Sequence, residues 1–155
     1  MSELSECIGA AFASEYRHRA TELHEWVDPL SGEQFWRNPF THGNCVGHLV
    51  LHLTGNLSYY VGARIAGTGY VRNRDLEFSE PRKLPKAEIL RKFDETIAMV
   101  IATIEKQTEA DWTTPYSAER EHDSKNRVTL FLRCVSHLYH HVGQIIYLSR
   151  ELRKA

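Results

Sequence analysis

The chain has 155 residues, a formal net charge of -1 and well-mixed charges, a balance that predicts neither a nucleic-acid footprint nor a patch for anionic membranes. Apolar residues make up 42% and charged residues 25%, which excludes disordered and collagen-like classes and suits one globular domain over residues 1–155. No stretch is apolar for long enough to span a bilayer, and the start, MSELSECIGAAF, lacks the basic flank and apolar run of a signal peptide, so a cytoplasmic location is expected.

Hydrophobic spacing predicts four long helices and no alternating strands. The first covers about residues 2–26, where Leu4, Ile8, Phe12, Tyr16, Ala20 and Leu23 recur at steps of three and four and mark one buried face. Asp28 and Pro29 end it. Ser31 followed by Gln34 reads as a capping box that starts a short turn through Phe35 and Trp36. The second long helix spans about residues 44–66, with Asn44 as N-cap and Gly67 as C-cap. The third starts near Pro85, a residue that suits the first helical turn, and runs through Ile89, Phe93, Ile97, Val100 and Ile104. The fourth covers about residues 126–152 along Val128, Phe131, Val135, Leu138, Val142 and Ile145. Two connections are long, residues 67–84 and 109–125, and segments of that length are either crossovers or functional loops. There is no internal repeat.

Chemistry concentrates in the histidines, of which there are nine. In HLYHHVGQIIYL, His137 and His141 stand one turn apart. With Leu138 at the centre of the buried face, His141 falls at about -60° and His137 at about -100°, on one flank, while His140 at about -160° points outward. On the second helix, with Leu53 at the centre, His52 falls at about -100° and Asn56 at about -60°, on one flank. His48, at about -140°, is expected at the surface or behind the first ligands. An imidazole pair at i, i+4 plus a third ring from another helix is the donor set of a metal site with an open position. The competing reading is a set of hydrogen-bonded polar side chains at a core edge, and spacing alone leaves both open. HExxH is absent, so this is not the zinc-protease pattern. Cys7, Cys45 and Cys134 lack CxxC spacing and are expected as small buried apolar residues.

Several separated segments, LSGEQFWRNP, VGHLVLHLTGN, VRNRDLEFSE and HLYHHVGQIIYLSR, occur in the order found in the DinB superfamily, which the chain resembles over nearly its whole length, and specifically a subfamily of small bacterial members. The resemblance implies an all-α four-helix bundle in up-down-down-up order, with residues 67–84 as the crossover between the second and third helices. It also implies a metal triad at His52, His137 and His141, a divalent ion such as zinc, nickel or iron, and a homodimer. Some members of that superfamily are thiol transferases or isomerases that use low-molecular-weight thiols. A fold does not carry a substrate with it.

The function expected is therefore a divalent-metal-dependent enzyme, a thiol transferase or hydrolase, that activates a small thiol or water at a three-histidine site. The alternative is a non-catalytic metal-binding or damage-response protein. Asn56 and Gln144 are the candidates for hydrogen bonds to ligands or substrate, with Tyr59, Tyr139 and Tyr147 behind them. The segment Arg72-Asn73-Arg74-Asp75-Leu76-Glu77-Phe78 is either a lid offering an arginine to an anion or a solvated loop held by Arg–Asp and Arg–Glu pairs. Trp36, Tyr60 and Trp112 are candidates for a dimer surface or for the core.

Overall fold

Helix termini follow local chemistry closely in the computed structural model, which describes residues 2–154. Helix α1, Glu3–Val27, begins where the Ser2 side chain accepts from the Ser5 amide. The capping box of Ser31 and Gln34 opens α2, Gly32–Trp36. Helix α3, Val46–Leu57, starts one residue later than Asn44 predicts: Cys45 is the N-cap, and its Sγ accepts from the His48 amide. The same rod continues as a π-helix, Ser58–Ala66, and ends at Gly67, whose φ of 68° is the left-handed conformation that favours glycine.

Residues 67–84 are more ordered than a bare crossover. They contain α4, Arg74–Ser79, capped by the Asn73 side chain. Pro85 precedes α5, Lys86–Glu105. The second long connection contains α6, Glu109–Thr113, and two isolated antiparallel bridges, Pro115–Asn126 and Ala118–Glu121. Asn126 then opens α7, Arg127–Leu152, through a capping box with Thr129.

Named contacts fix the order of the four long helices. Phe12 meets Phe131 near the start of both α1 and α7, and Arg153 donates to the Trp26 carbonyl near the end of both, so these two run parallel. Ser58 pairs with Thr96, and a Cβ at Gly62 would sit 3.1 Å from Met99 Cε, so the α3 rod and α5 are parallel. Arg17 pairs with Glu105 and His24 with Asp94, which makes α1 and α5 antiparallel. His52 meets His137 while Leu49 and Leu148 line one hollow, which makes α3 and α7 antiparallel. The result is an all-helical up-down-down-up bundle.

Its core is closed by Tyr16, Phe35, Phe93 and Phe131, all fully buried, each contributing about 1.5–3 kcal/mol through removal of apolar surface from water. The Tyr16 hydroxyl donates to the Phe131 carbonyl at 2.9 Å, which removes the cost of burying it. Three aromatic candidates for a dimer surface belong to the core instead. Trp112 and Tyr60 are buried, the Trp112 Nε1 donates to Ser5 Oγ, and the half-buried Trp36 donates to the Leu84 carbonyl. Trp36 lies so close to α3 that a Cβ on Gly47 would approach its ring to 2.6 Å. Among the cysteines, Cys45 and Cys134 are buried as expected, but Cys7 is exposed, because it falls on the outer side of α1. No helix among the described residues is long and apolar enough to cross a membrane.

Candidate metal centre

Antiparallel packing of α3 against α7 turns two sequence flanks into one site. His52 lies in the middle of α3, two turns beyond the Cys45 cap, and His137 and His141 come from mid-α7. His137 Nε2 lies 3.1 Å from His52 Nε2 and 3.1 Å from His141 Nε2. The three nitrogens all fall within 4.8 Å of one another, a grouping able to hold a metal ion. For metal–nitrogen bonds of about 2.0–2.1 Å, donors sharing one tetrahedral or octahedral face are about 2.8–3.4 Å apart, so the two close spacings fit such an ion.

Protons tell the same story. His52 Nδ1 is 2.7 Å from Glu77 Oε2, and a carboxylate only accepts, so the ring proton sits on Nδ1 and leaves a bare lone pair on Nε2. His141 Nδ1 is 2.7 Å from Gln144 Oε1, which fixes the same tautomer. Two lone pairs therefore point at the place His137 Nε2 also occupies. One proton on His137 can bridge to only one of them. A shared cation satisfies all three.

Burial keeps two of the rings, His137 and His141, neutral. Burial first, then the neighbouring His141 and His52, holds the His137 imidazole at about 2. Burial likewise holds His141 at about 4, although the Gln144 hydrogen bond works against it. Neutral imidazole is the form that binds metals.

Behind His52 stands an ion pair that periodicity alone did not reveal. Arg72 donates to both Glu77 oxygens, Nε to Oε1 at 2.7 Å and a terminal nitrogen to Oε2 at 3.0 Å. Burial would push the Glu77 carboxyl up, but hydrogen bonds from His52 and Arg72 outweigh it and hold it below the usual range. A carboxylate behind a ligand imidazole fixes ring orientation and raises its basicity. Space for Glu77 comes from Gly55, where an added Cβ would lie 2.1 Å from Glu77 Oε1. The Arg–Glu pairing of the 72–78 segment is present, but it is buried and joined to the cluster rather than solvated. The sequence signal was a glycine three residues after His52, facing a short capped helix that carries one acidic residue on its inner side.

The remaining candidates divide cleanly. Asn56 is buried one turn beyond His52 and lines a cavity of about 200 Å³ that reaches His52 and His137. Its Oδ1 has no hydrogen-bond partner. Tyr59 lines an adjoining outer hollow, whereas Tyr139 and Tyr147 are exposed on α7 and line neither space. His140 is exposed, as its phase predicts. His48 is half-buried instead of at the surface, because Cys45 Sγ contacts its Nδ1 at 3.2 Å and the Glu80 carbonyl contacts its Nε2 at 3.2 Å.

A family model described as "Protein of unknown function (DUF1572)" matches residues 9–155. The chain belongs to that family. DUF1572 proteins are placed in the DinB/YfiT-like superfamily, in keeping with a helical chain that carries a three-histidine cluster. Comparison with curated proteins finds no match. The DUF1572 assignment spans α2–α7 and most of α1, so it includes every residue of the cluster.

Proposed function

We propose that this DUF1572 protein is a divalent-metal-dependent enzyme acting on a small molecule, with His52, His137 and His141 as ligands and a low-molecular-weight thiol or water as the nucleophile. The observation that carries the reading is the convergence of three Nε2 atoms, two of them obliged by their partners to present lone pairs. Zinc, nickel and iron all suit an all-imidazole donor set. A divalent ion held by these three residues would supply acidification, lowering the pKa of water or of a thiol toward neutrality.

The chain's own groups supply orientation. Glu77 holds the His52 ring through Nδ1, and Arg72 holds Glu77. Gln144 holds the His141 ring. Asn56 offers an unpaired amide oxygen to an N–H or O–H of the substrate. Tyr60 and Arg72 line the cavity and limit water around the reacting atoms. The thiol preference rests on the superfamily likeness, as does pairing into a homodimer, for which the exposed Leu132, Tyr139 and Tyr147 along α7 are the surface. Sedimentation of wild type against Tyr139→Glu tests the pairing.

For turnover, the test is a panel of electrophiles with glutathione, bacillithiol or mycothiol, run beside ester and amide substrates, with zinc-, nickel- and iron-loaded protein. Activity that requires metal and falls at least about 100-fold in Asn56→Ala supports the enzyme. Full metal occupancy with silence across the panel favours a non-catalytic metal-binding protein.

A further inference from the structure

The cavity above the cluster has a chemical bias that the histidines do not explain. Because α3 and α7 run antiparallel, Asn56, four residues after His52, and Arg133, four residues before His137, rise to the same level on facing helices. Arg74 and Arg120 join them from the two connections. An outer hollow of about 630 Å³ shares Tyr60, Arg72, Arg74 and Arg120 with the inner cavity, so these side chains form a neck between the two.

The arginines differ in how far they are neutralised. Arg72 is matched by both oxygens of Glu77. Arg133 stands 3.5 Å from Glu121 and Arg120 stands 3.9 Å from Glu119, and both are at least half exposed. Arg74 makes no ion pair among the described residues, and its guanidinium rests 5.3 Å from the Phe78 ring centroid. Arg120 is also the one non-glycine residue among those described with positive φ, at 63°. A conformation of that kind persists only where surrounding structure holds it, and such positions cluster at ligand sites. Beneath the neck, the buried Asn56 Oδ1 lacks a donor.

We propose that this neck binds the oxyanion group, carboxylate or phosphate, of the small molecule processed at the cluster, and that the same molecule donates an N–H or O–H to Asn56. Guanidinium forks match the paired oxygens of such groups, and Arg74 and Arg120 have donors to spare. The molecule is thus an anion whose charged end sits about one to two helical turns, roughly 5–10 Å, from the atom presented to the imidazoles. The location of the reacting atom rests on the metal-dependent reading above; the oxyanion site does not.

Two titrations test it separately. Inorganic phosphate and acetate are titrated calorimetrically into metal-free wild type and into Arg74→Gln/Arg120→Gln, with Arg17→Gln, on the α1–α5 side, as control. Saturable binding of either anion that weakens about tenfold in the double variant and not in the control supports the site, and the preferred anion identifies the group. Absence of saturation, or equal affinity in the double variant, overturns it. In the second arm, cobalt-loaded protein is titrated with 3-mercaptopropionate and with 2-mercaptoethanol, read by the sulfur-to-cobalt absorption. The carboxylated thiol is expected to bind about tenfold more tightly, a preference lost in the double variant; equal affinity in wild type overturns the proposal. Failure to take up cobalt counts against the metal centre alone, and the phosphate and acetate result then decides this one.

Discussion

Two histidine settings in this bundle show opposite uses of one side chain. At the α1–α5 seam, His24 sits between Asp28 at 3.0 Å and Asp94 at 2.7 Å, so both ring nitrogens meet carboxylates. Partial burial opposes the charge there, but the two aspartates raise the imidazole above its usual range. At the α3–α7 seam, the half-buried His137 stands beside two other imidazoles, and burial foremost pushes it down to about 2. The first site favours a proton. The second disfavours a proton on His137 and brings three ring nitrogens within 4.8 Å of one another, a grouping able to hold a metal ion.

The difference is set by what stands behind each ring, so the ring supports are where it breaks. The largest effect after loss of a ligand is expected from Glu77→Ala. It leaves Arg72 half-enclosed without its partner, at a cost of about 3 kcal/mol, and frees the His52 ring, lowering metal affinity about 10–100-fold. Chemical denaturation and competition with a chromophoric chelator read the two quantities. Glu77→Gln separates them, since it keeps the shape and a hydrogen bond while removing the charge. Metal affinity unchanged in both variants would remove Glu77 from the site.

Gly55→Ala comes next. Its methyl would meet the Glu77 carboxylate, so that side chain must leave its place between His52 and Arg72, with an expected loss of about 1–3 kcal/mol. An alanine tolerated without loss would mean that Glu77 does not lie against α3. A smaller change is expected from Arg120→Gly, which relieves a left-handed residue costing about 1 kcal/mol. Its unfolding midpoint should match or exceed that of wild type while anion binding weakens; a clear drop would show that the arginine is there for stability.

The smallest effect belongs to His24→Ala and depends on pH. The folded pKa of His24 is raised, so its contribution is complete below the unfolded value of about 6.5 and disappears as pH rises through the folded value. The variant should therefore be less stable than wild type at pH 5.5 and close to it at pH 9. An equal deficit at both would assign His24 to packing. Salt should shrink the acid-side deficit, since the pair is partly exposed.

The same contrast explains what could be read from the sequence. Helical phase is a local property, so the four long helices and the shared flank of His137 and His141 were legible from spacing. The up-down-down-up order came through family likeness, and the contacts of Phe12, Ser58 and Arg17 bear it out. Periodicity could not show Glu77, because its partner His52 is 25 residues away and lies across a crossover whose path no local pattern sets. Neither could it separate α-helix from π-helix over Ser58–Ala66, since both keep an apolar face inward. Cys45 in place of Asn44 as the α3 cap reflects a sulfur that reaches the His48 amide, a weaker acceptor than propensity would choose. Cys7 failed as a buried residue because cysteine type says little about which side of a helix it occupies.

Metal content, measured by mass spectrometry on protein purified without an affinity tag, bears most directly on the three-imidazole centre. The expected result is about one divalent ion per wild-type chain and none in His137→Ala, with the helical circular dichroism of the two alike. A wild type that takes up no ion from zinc, nickel or iron solutions, or a variant that retains it, would contradict the account.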